Sequence, residues 1–270
     1  MEAMVLQNVI RATHFTQTHK EDSLKLPVVL LLALSSLEIG AFAQTINLGS
    51  ADSFALLAGS GITNVSAHTS IIGDVGSSPT PSITGLEQSQ VDGILYLSAS
   101  PATAQAQTDL TAAYLEVANA PCDNDLTGQD LGGLTLTPGV YCFSSSAGLT
   151  GTLTLDAQGN TNAQWIFQMG STLTTATDSK VAVIIGHKPA PIWSGELGPV
   201  PLWSKGLRGC NVYWQVGSSA TLGTGSIFVG KILALTSITL DGGTLRGKAL
   251  ARNGAITMSA RETVNGAPCD

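Results

Sequence analysis

The 270 residues carry 11% charged side chains and a net charge of −7, against a charged share of roughly 25% in an average globular chain. With no run of Lys or Arg after Gln44, such a surface excludes a binder of phosphate backbones, and its low charge also excludes a disordered polyelectrolyte. Glycine is abundant (30 residues) and aromatics make up only 5%, which favours many short strands and tight turns over helical bundles.

At the start of the chain, Lys20 and Lys25 precede the apolar run Pro27 to Leu34, and Ala41-Phe42-Ala43 closes it with small residues at a cleavage-type spacing. Residues 1–43 therefore read as an N-terminal extension with a secretory signal peptide cut after Ala43, and 44–270 as a single secreted, extracellular domain. A membrane anchor is the weaker reading: Pro27, Glu38 and Gly40 interrupt the stretch, leaving it short of the ~20 apolar residues that span a bilayer. The four cysteines, Cys122, Cys142, Cys210 and Cys269, are an even set that suits an oxidising compartment, with their pairing left open.

From Ile46 to Gly85, short β-type runs (Phe54 to Leu57, Ser70 to Ile72) and the breaker Pro79-Thr80-Pro81 predict a first coil. Ala104, Leu110, Ala113, Tyr114 and Val117 then recur at three- and four-residue spacings, predicting a helix over about 103–120. Leu134 to Thr137, Thr152 to Leu155 and Thr172 to Thr175 alternate hydroxyl and apolar residues as strands do. Pro189, Pro191, Pro199 and Pro201 break the pattern and mark an inserted loop at about 187–206.

Beyond the loop a period emerges. Thr221, Thr239 and Thr257 recur every 18 residues, preceded by Ala220, Ile238 and Ile256 and followed by Leu222, Leu240 and Met258. The same period aligns Ile227 with Leu245, Ile232 with Leu250, Ser226 with Thr244, and the turn positions Thr224, Gly242 and Ala260 with one another. A coil of that length holds three short strands joined by tight bends. Alternation along each strand turns the leucines inward and the threonines outward.

The strings Leu131-Gly-Gly-Leu-Thr-Leu-Thr-Pro-Gly-Val-Tyr141, Ala163 to Thr175, Val212 to Gly225, Ile232 to Leu240 and Gly247 to Thr257 closely resemble the microbial ice-binding (antifreeze) protein family, in order, from about Ile46 onward. The resemblance implies an all-β solenoid: a right-handed, discontinuous β-helix of triangular cross-section with one long α-helix packed along one face. It also implies a Cys122–Cys142 disulfide, which leaves Cys210 with Cys269, and marks 187–206 as extra relative to the family. The implied partner is an ice crystal surface, met by a monomer that takes no cofactor and binds neither nucleic acid nor membrane.

Two faces compete for that role. The preferred set is Thr175, Thr177, Thr224, Ser226 and Thr244, near the family's Thr-rich motifs, with Lys180, Phe228 and Arg246 at risk of roughening it. The alternative is Thr172, Thr221, Thr239 and Thr257. Each threonine has a plain reading as well, since threonine favours strands whatever their function.

No catalytic or metal-binding constellation competes strongly. His68 and His187 lack partners at a ligand spacing, and Asp123-Asn124-Asp125 lacks the Gly and distal Glu of a calcium loop. Asp156, Asp178 and Asp241 fall near turns and do not converge. Asn64-Val65-Ser66 is a glycosylation sequon. A secreted β-helix enzyme acting on polysaccharide and an adhesive or structural cell-surface protein are the alternatives. The first of these calls for a groove lined with clustered Asp, Arg or Lys, and the second for added adhesion domains or anchors.

Overall fold

A computed structural model describes residues 46–185, 188–189 and 210–267. The expected signal segment, most of the 187–206 loop, and Cys269 lie outside the described residues. Ala43–Asp270 form one compact unit. Its strands, numbered in chain order, wind into a solenoid with three faces, and every pairing within those faces is parallel.

One face consists of β9 (Gly139–Phe143), β12 (Trp165–Met169), β16 (Val212–Val216), the second halves of β18 (Ser226–Ala234) and β20 (Gly243–Ala251), then β1 (Phe54–Ala58) and β4 (Asp74–Ser77). A second face holds β8 (Thr135–Leu136), β11 (Thr152–Asp156), β14 (Lys180–Ile185), the first halves of β18 and β20, β22 (Glu262–Asn265), β3 (Ser70–Ile72) and β6 (Val91–Asp92). The third is a separate seven-stranded sheet in the order β10 (Ala147–Leu149), β13 (Leu173–Thr175), β17 (Ala220–Leu222), β19 (Ile238–Leu240), β21 (Ala255–Met258), β2 (Gly61–Asn64) and β5 (Ile83–Thr84). The short β7 (Asn124–Asp125) pairs with β9, and β15 (Lys188–Pro189) pairs antiparallel with β14.

The order is discontinuous. The first coils stack onto the last ones, with β1 on β20, β2 on β21 and β3 on β22. The helix α1 (Pro101–Ala118) then carries the chain back to the other end, where β7 joins β9. It starts two residues before the expected Thr103 because Pro101 sits in its first turn, where a missing N–H costs nothing, and the Ser100 side chain accepts from the Ala102 amide. It ends before Ala120, with Asn119 as the C-terminal cap ahead of Pro121.

The 18-residue period holds in the third sheet, where Thr221 pairs with Thr239 and Thr239 with Thr257. Between β18 and β20 it slips: Ile227 faces Thr244, Ile232 faces Ala249 and Ser226 faces Gly243, a 17-residue offset where a uniform period expects Leu245, Leu250 and Thr244. The turn from Leu222 to Ser226 has one residue more than the turn from Leu240 to Gly243, and the bend before Ala255 restores it. Both long strands fold around the corner between two faces at paired glycines, Gly230 (φ 120°) and Gly247 (φ 152°). A Cβ on Gly247 would meet the Gly230 carbonyl oxygen at 1.9 Å, so no larger residue fits there.

Inside the solenoid Tyr141, Phe167, Trp214 and Phe228 form a stack with centroid separations of 5.5, 4.0 and 4.7 Å. Phe228 is thus interior, where the sequence reading placed it on an outer face. Its neighbours in the strand, Ile227 and Val229, take the outward parity. The indole N–H groups of Trp165 and Trp214 donate to the carbonyls of Leu136 and Val229, so no buried donor is orphaned by the stack.

A second core joins α1 to the first face through Leu110, Ala113 and Val117 against Ile166, Leu233 and Leu250. Its polar seam is built from register neighbours Tyr213, Lys231 and Lys248. Asp52 Oδ1 lies 3.4 Å from Lys231 Nζ and 3.7 Å from Lys248 Nζ, and Lys248 also donates to the carbonyls of Asp52 and Gly266. Cys122 and Cys142 are disulfide-bonded at the far end of the helix, and Cys210 is also oxidised.

Candidate functional site

The third sheet has little to offer chemically except repetition. Each three-residue strand turns its first and last side chains inward, as in Ile238 and Leu240, and its middle one outward. The register therefore sets Gly148, Thr174, Thr221, Thr239, Thr257, Thr63 and Thr84 in one file. At a strand spacing of ~4.8 Å, six threonines in succession span roughly 24 Å.

Backbone hydrogen bonds continue the ladder beyond the strands on both sides. Two residues upstream lies a hydroxyl-rich file of Ser146, Thr172, Ser219, Ser237, Ala255, Gly61 and Ser82. Two residues downstream lies a poorer one of Thr150, Ala176, Gly223, Asp241, Ser259 and Val65. Aromatic side chains are absent from these positions; Asp241 is charged, as is the exposed Asp130, which is bridged to Gly148 at the head of the central file and accepts from the Thr150 amide and hydroxyl.

Hydroxyls at the margins bond within the protein: Thr172 donates to Ser146 Oγ at 2.8 Å and Thr84 to Thr63 Oγ1 at 3.3 Å. Those of Thr174, Thr221, Thr239 and Thr257 find no partner among the described residues and are left to water.

The preferred set from the sequence does not assemble on one face. Thr175 is buried because it follows the outward Thr174, and its Oγ1 accepts from the Gly223 amide at 3.0 Å. Ser226 is buried at the inward-facing start of β18. Thr177 and Thr224 are exposed together on the turn leaving the third sheet, while Thr244 lies on the second face. That second face carries Lys180, Arg246 and Asp92 among its outward residues, with Ile227 and Ile72 between them.

The alternative set does share one sheet, with one change of partner. Thr174, and not Thr172, stands opposite Thr221, and Thr172 belongs to the neighbouring file. Thr63, Thr84 and Thr174 escaped the sequence reading. The first two lie far upstream and enter only through the discontinuous stacking, although the dipeptides Ile62-Thr63 and Ile83-Thr84 repeat Ile238-Thr239 and Ile256-Thr257.

Three of the residues weighed for other chemistry, Asp123, Asp125 and Asp156, serve the backbone. Asp123 accepts from the Val140 amide and Asp125 from the Thr127 amide, each at 2.8 Å. No group of three His, Cys, Asp or Glu suited to a metal occurs among the described residues.

Residues 56–264 match the ice-binding-like family. The chain belongs to that family. Among its members, it is 46% identical over 241 residues to an ice-binding protein of Nostoc sp. (strain HG1), covering 88% of this chain and 81% of the relative. Among solved structures it superposes with a TM-score of 0.70 on an ice-binding protein from an Antarctic biological consortium, at 38% identity over 84% of this chain and 95% of the other. An ice-binding protein of the Antarctic ascomycete Antarctomyces psychrotrophicus gives a TM-score of 0.66 at 33% identity, over 81% and 97%. Family membership thus agrees with the solenoid and its parallel stacking.

Proposed function

We propose that this chain is a secreted protein that adsorbs to ice through the third sheet, with the file from Thr174 to Thr84 as the centre of contact. The observation that carries this reading is the unbroken register of six outward threonines on a face whose charges, Asp130 beyond Gly148 and Asp241 in the downstream file, lie outside that run. Each threonine offers a hydroxyl to water while its methyl limits hydration, and its stiff χ1 fixes both. Exchanging liquid water for ice at one hydroxyl is worth on the order of 1 kcal/mol or less. Adsorption therefore needs many such groups already in place, which a rigid solenoid supplies without the ordering cost of a flexible chain. Bound molecules then make ice advance as curved fronts between them, which halts growth and recrystallisation. The second face supports the role less well, because Lys180, Arg246 and Asp92 hold hydration shells that do not fit a crystal. Secretion accords with the oxidised Cys122, Cys142 and Cys210.

The test is to purify residues 44–270 and compare ice growth in the presence of Thr239→Tyr and Thr244→Tyr. Thr239→Tyr is expected to abolish hysteresis and recrystallisation inhibition at an unchanged melting temperature, and Thr244→Tyr to leave both intact. The reverse pattern would move the contact to the second face.

A further inference from the structure

The three files are unequal, and the downstream one is the poorest in free hydroxyls and holds the charge nearest the middle threonines, Asp241, while Asp130 at the far end binds the Thr150 hydroxyl at 3.1 Å. Asp241 extends the ladder one residue past β19, its amide donating to the Leu222 carbonyl, so it lies two residues from Thr239 on the same surface. Its Oδ1 accepts a hydrogen bond from the hydroxyl of Ser259, the next residue in that file, and so removes a second group from contact with water in the ladder's register. The neighbours Ala176 and Gly223 have no hydroxyl to offer, and Val65, 66% exposed, ends the file with an apolar side chain.

We infer that Asp241 is a specificity-determining residue that sets the edge of the ice-contacting surface and attenuates its activity. The inference rests on the proposed role of the third sheet. A carboxylate orients water radially about its charge, with hydrogens inward, and this order competes with the arrangement a crystal needs. Two residues along a strand is about 7 Å, inside the Debye length of roughly 8 Å at physiological ionic strength. The field of Asp241 therefore reaches the water over Thr239 and over Thr221 and Thr257 beside it. The face works as two files, central and upstream, with the third held liquid.

The experiment measures thermal hysteresis of the full domain for the native protein, Asp241→Asn, Thr239→Tyr and the double variant, at low salt and in 1 M salt, where the Debye length falls to about 3 Å. Asp241→Asn is expected to raise hysteresis roughly two-fold at low salt, the scale of one exposed electrostatic contact, at an unchanged melting temperature. Added salt should raise hysteresis in the native protein and not in Asp241→Asn. Equal or lower hysteresis in Asp241→Asn, with Thr239→Tyr still inactive, would overturn the role of Asp241 and leave the threonine face standing. Full activity in Thr239→Tyr would overturn the face itself, and the assignment of Asp241 with it.

Discussion

At the scale of single residues, position on the pleat decides what a side chain does more than its chemistry. Thr174 and Thr175 are adjacent and identical, yet one faces water and the other is a buried acceptor. Asn64 makes the same point against its sequon. It is 4% exposed, its amide donates to the carbonyls of Ser66 and Gly85 at 2.7 Å, and its Oδ1 accepts from Thr69 at 2.8 Å. A glycan on that nitrogen would replace one of its two N–H donors and would need space that the buried side chain does not have. The folded product from a glycosylating host is therefore expected to show the unmodified mass, and Asn64→Ala to lose about 1–3 kcal/mol in urea unfolding through the orphaned carbonyls and hydroxyl. The sequence revealed the acceptor motif and not the burial, since the partners Gly85 and Thr69 come from the next coil and from the turn after β2.

At the scale of elements, legibility followed period. The strands of β17, β19 and β21 and their inward Leu222, Leu240 and Met258 could be read directly, because three copies of one pattern stand in line. The helix was readable within two residues at each end from its apolar spacing. The registers of β18 and β20 were not, because a one-residue difference between two turns shifts the pairing without disturbing either strand's composition. A one-residue slip also flips inward and outward residues, which is how Phe228 and Ser226 came to be misplaced. The corner glycines are the sharpest local demand. Gly247→Ala is expected to lower the melting temperature by several degrees or to prevent folding, whereas Gly128→Ala, with open space around it, should cost far less even at φ 81°. Trp214→Ala, emptying the middle of the aromatic stack, should cost about 3–5 kcal/mol.

At the scale of the whole molecule, two buried ionisable groups shape stability in opposite directions. Burial pushes the Glu262 carboxyl from 4.5 up to about 7, so the folded protein holds a proton that the unfolded chain has lost. Stability should fall as pH rises through about 4.5 to 7. Burial pulls Lys248 from 10.5 down to about 8, against the pull of Asp52, so the unfolded chain binds more protons above that point. Stability should recover between about 8 and 10.5. Below these ranges, Asp109 is held under its usual value by the hydroxyl and amide of Ser50 and by Gln105, and its contribution disappears on acidification. Calorimetry across pH should thus find a minimum near 7 to 8, with Glu262→Gln flattening the acid limb and Lys248→Met the alkaline one. A profile flat from 4.5 to 10.5 in the native protein would refute both assignments.

The stacking of the first coils upon the last also governs how the molecule is made. During synthesis β2 emerges from the ribosome nearly two hundred residues ahead of β21, the strand it must join. The nascent chain can wind its middle coils one upon another as they appear, but Thr63 and Thr84, paired with each other, wait for Thr257 until the end of translation. The surface is finished only when the oldest segment docks on the youngest.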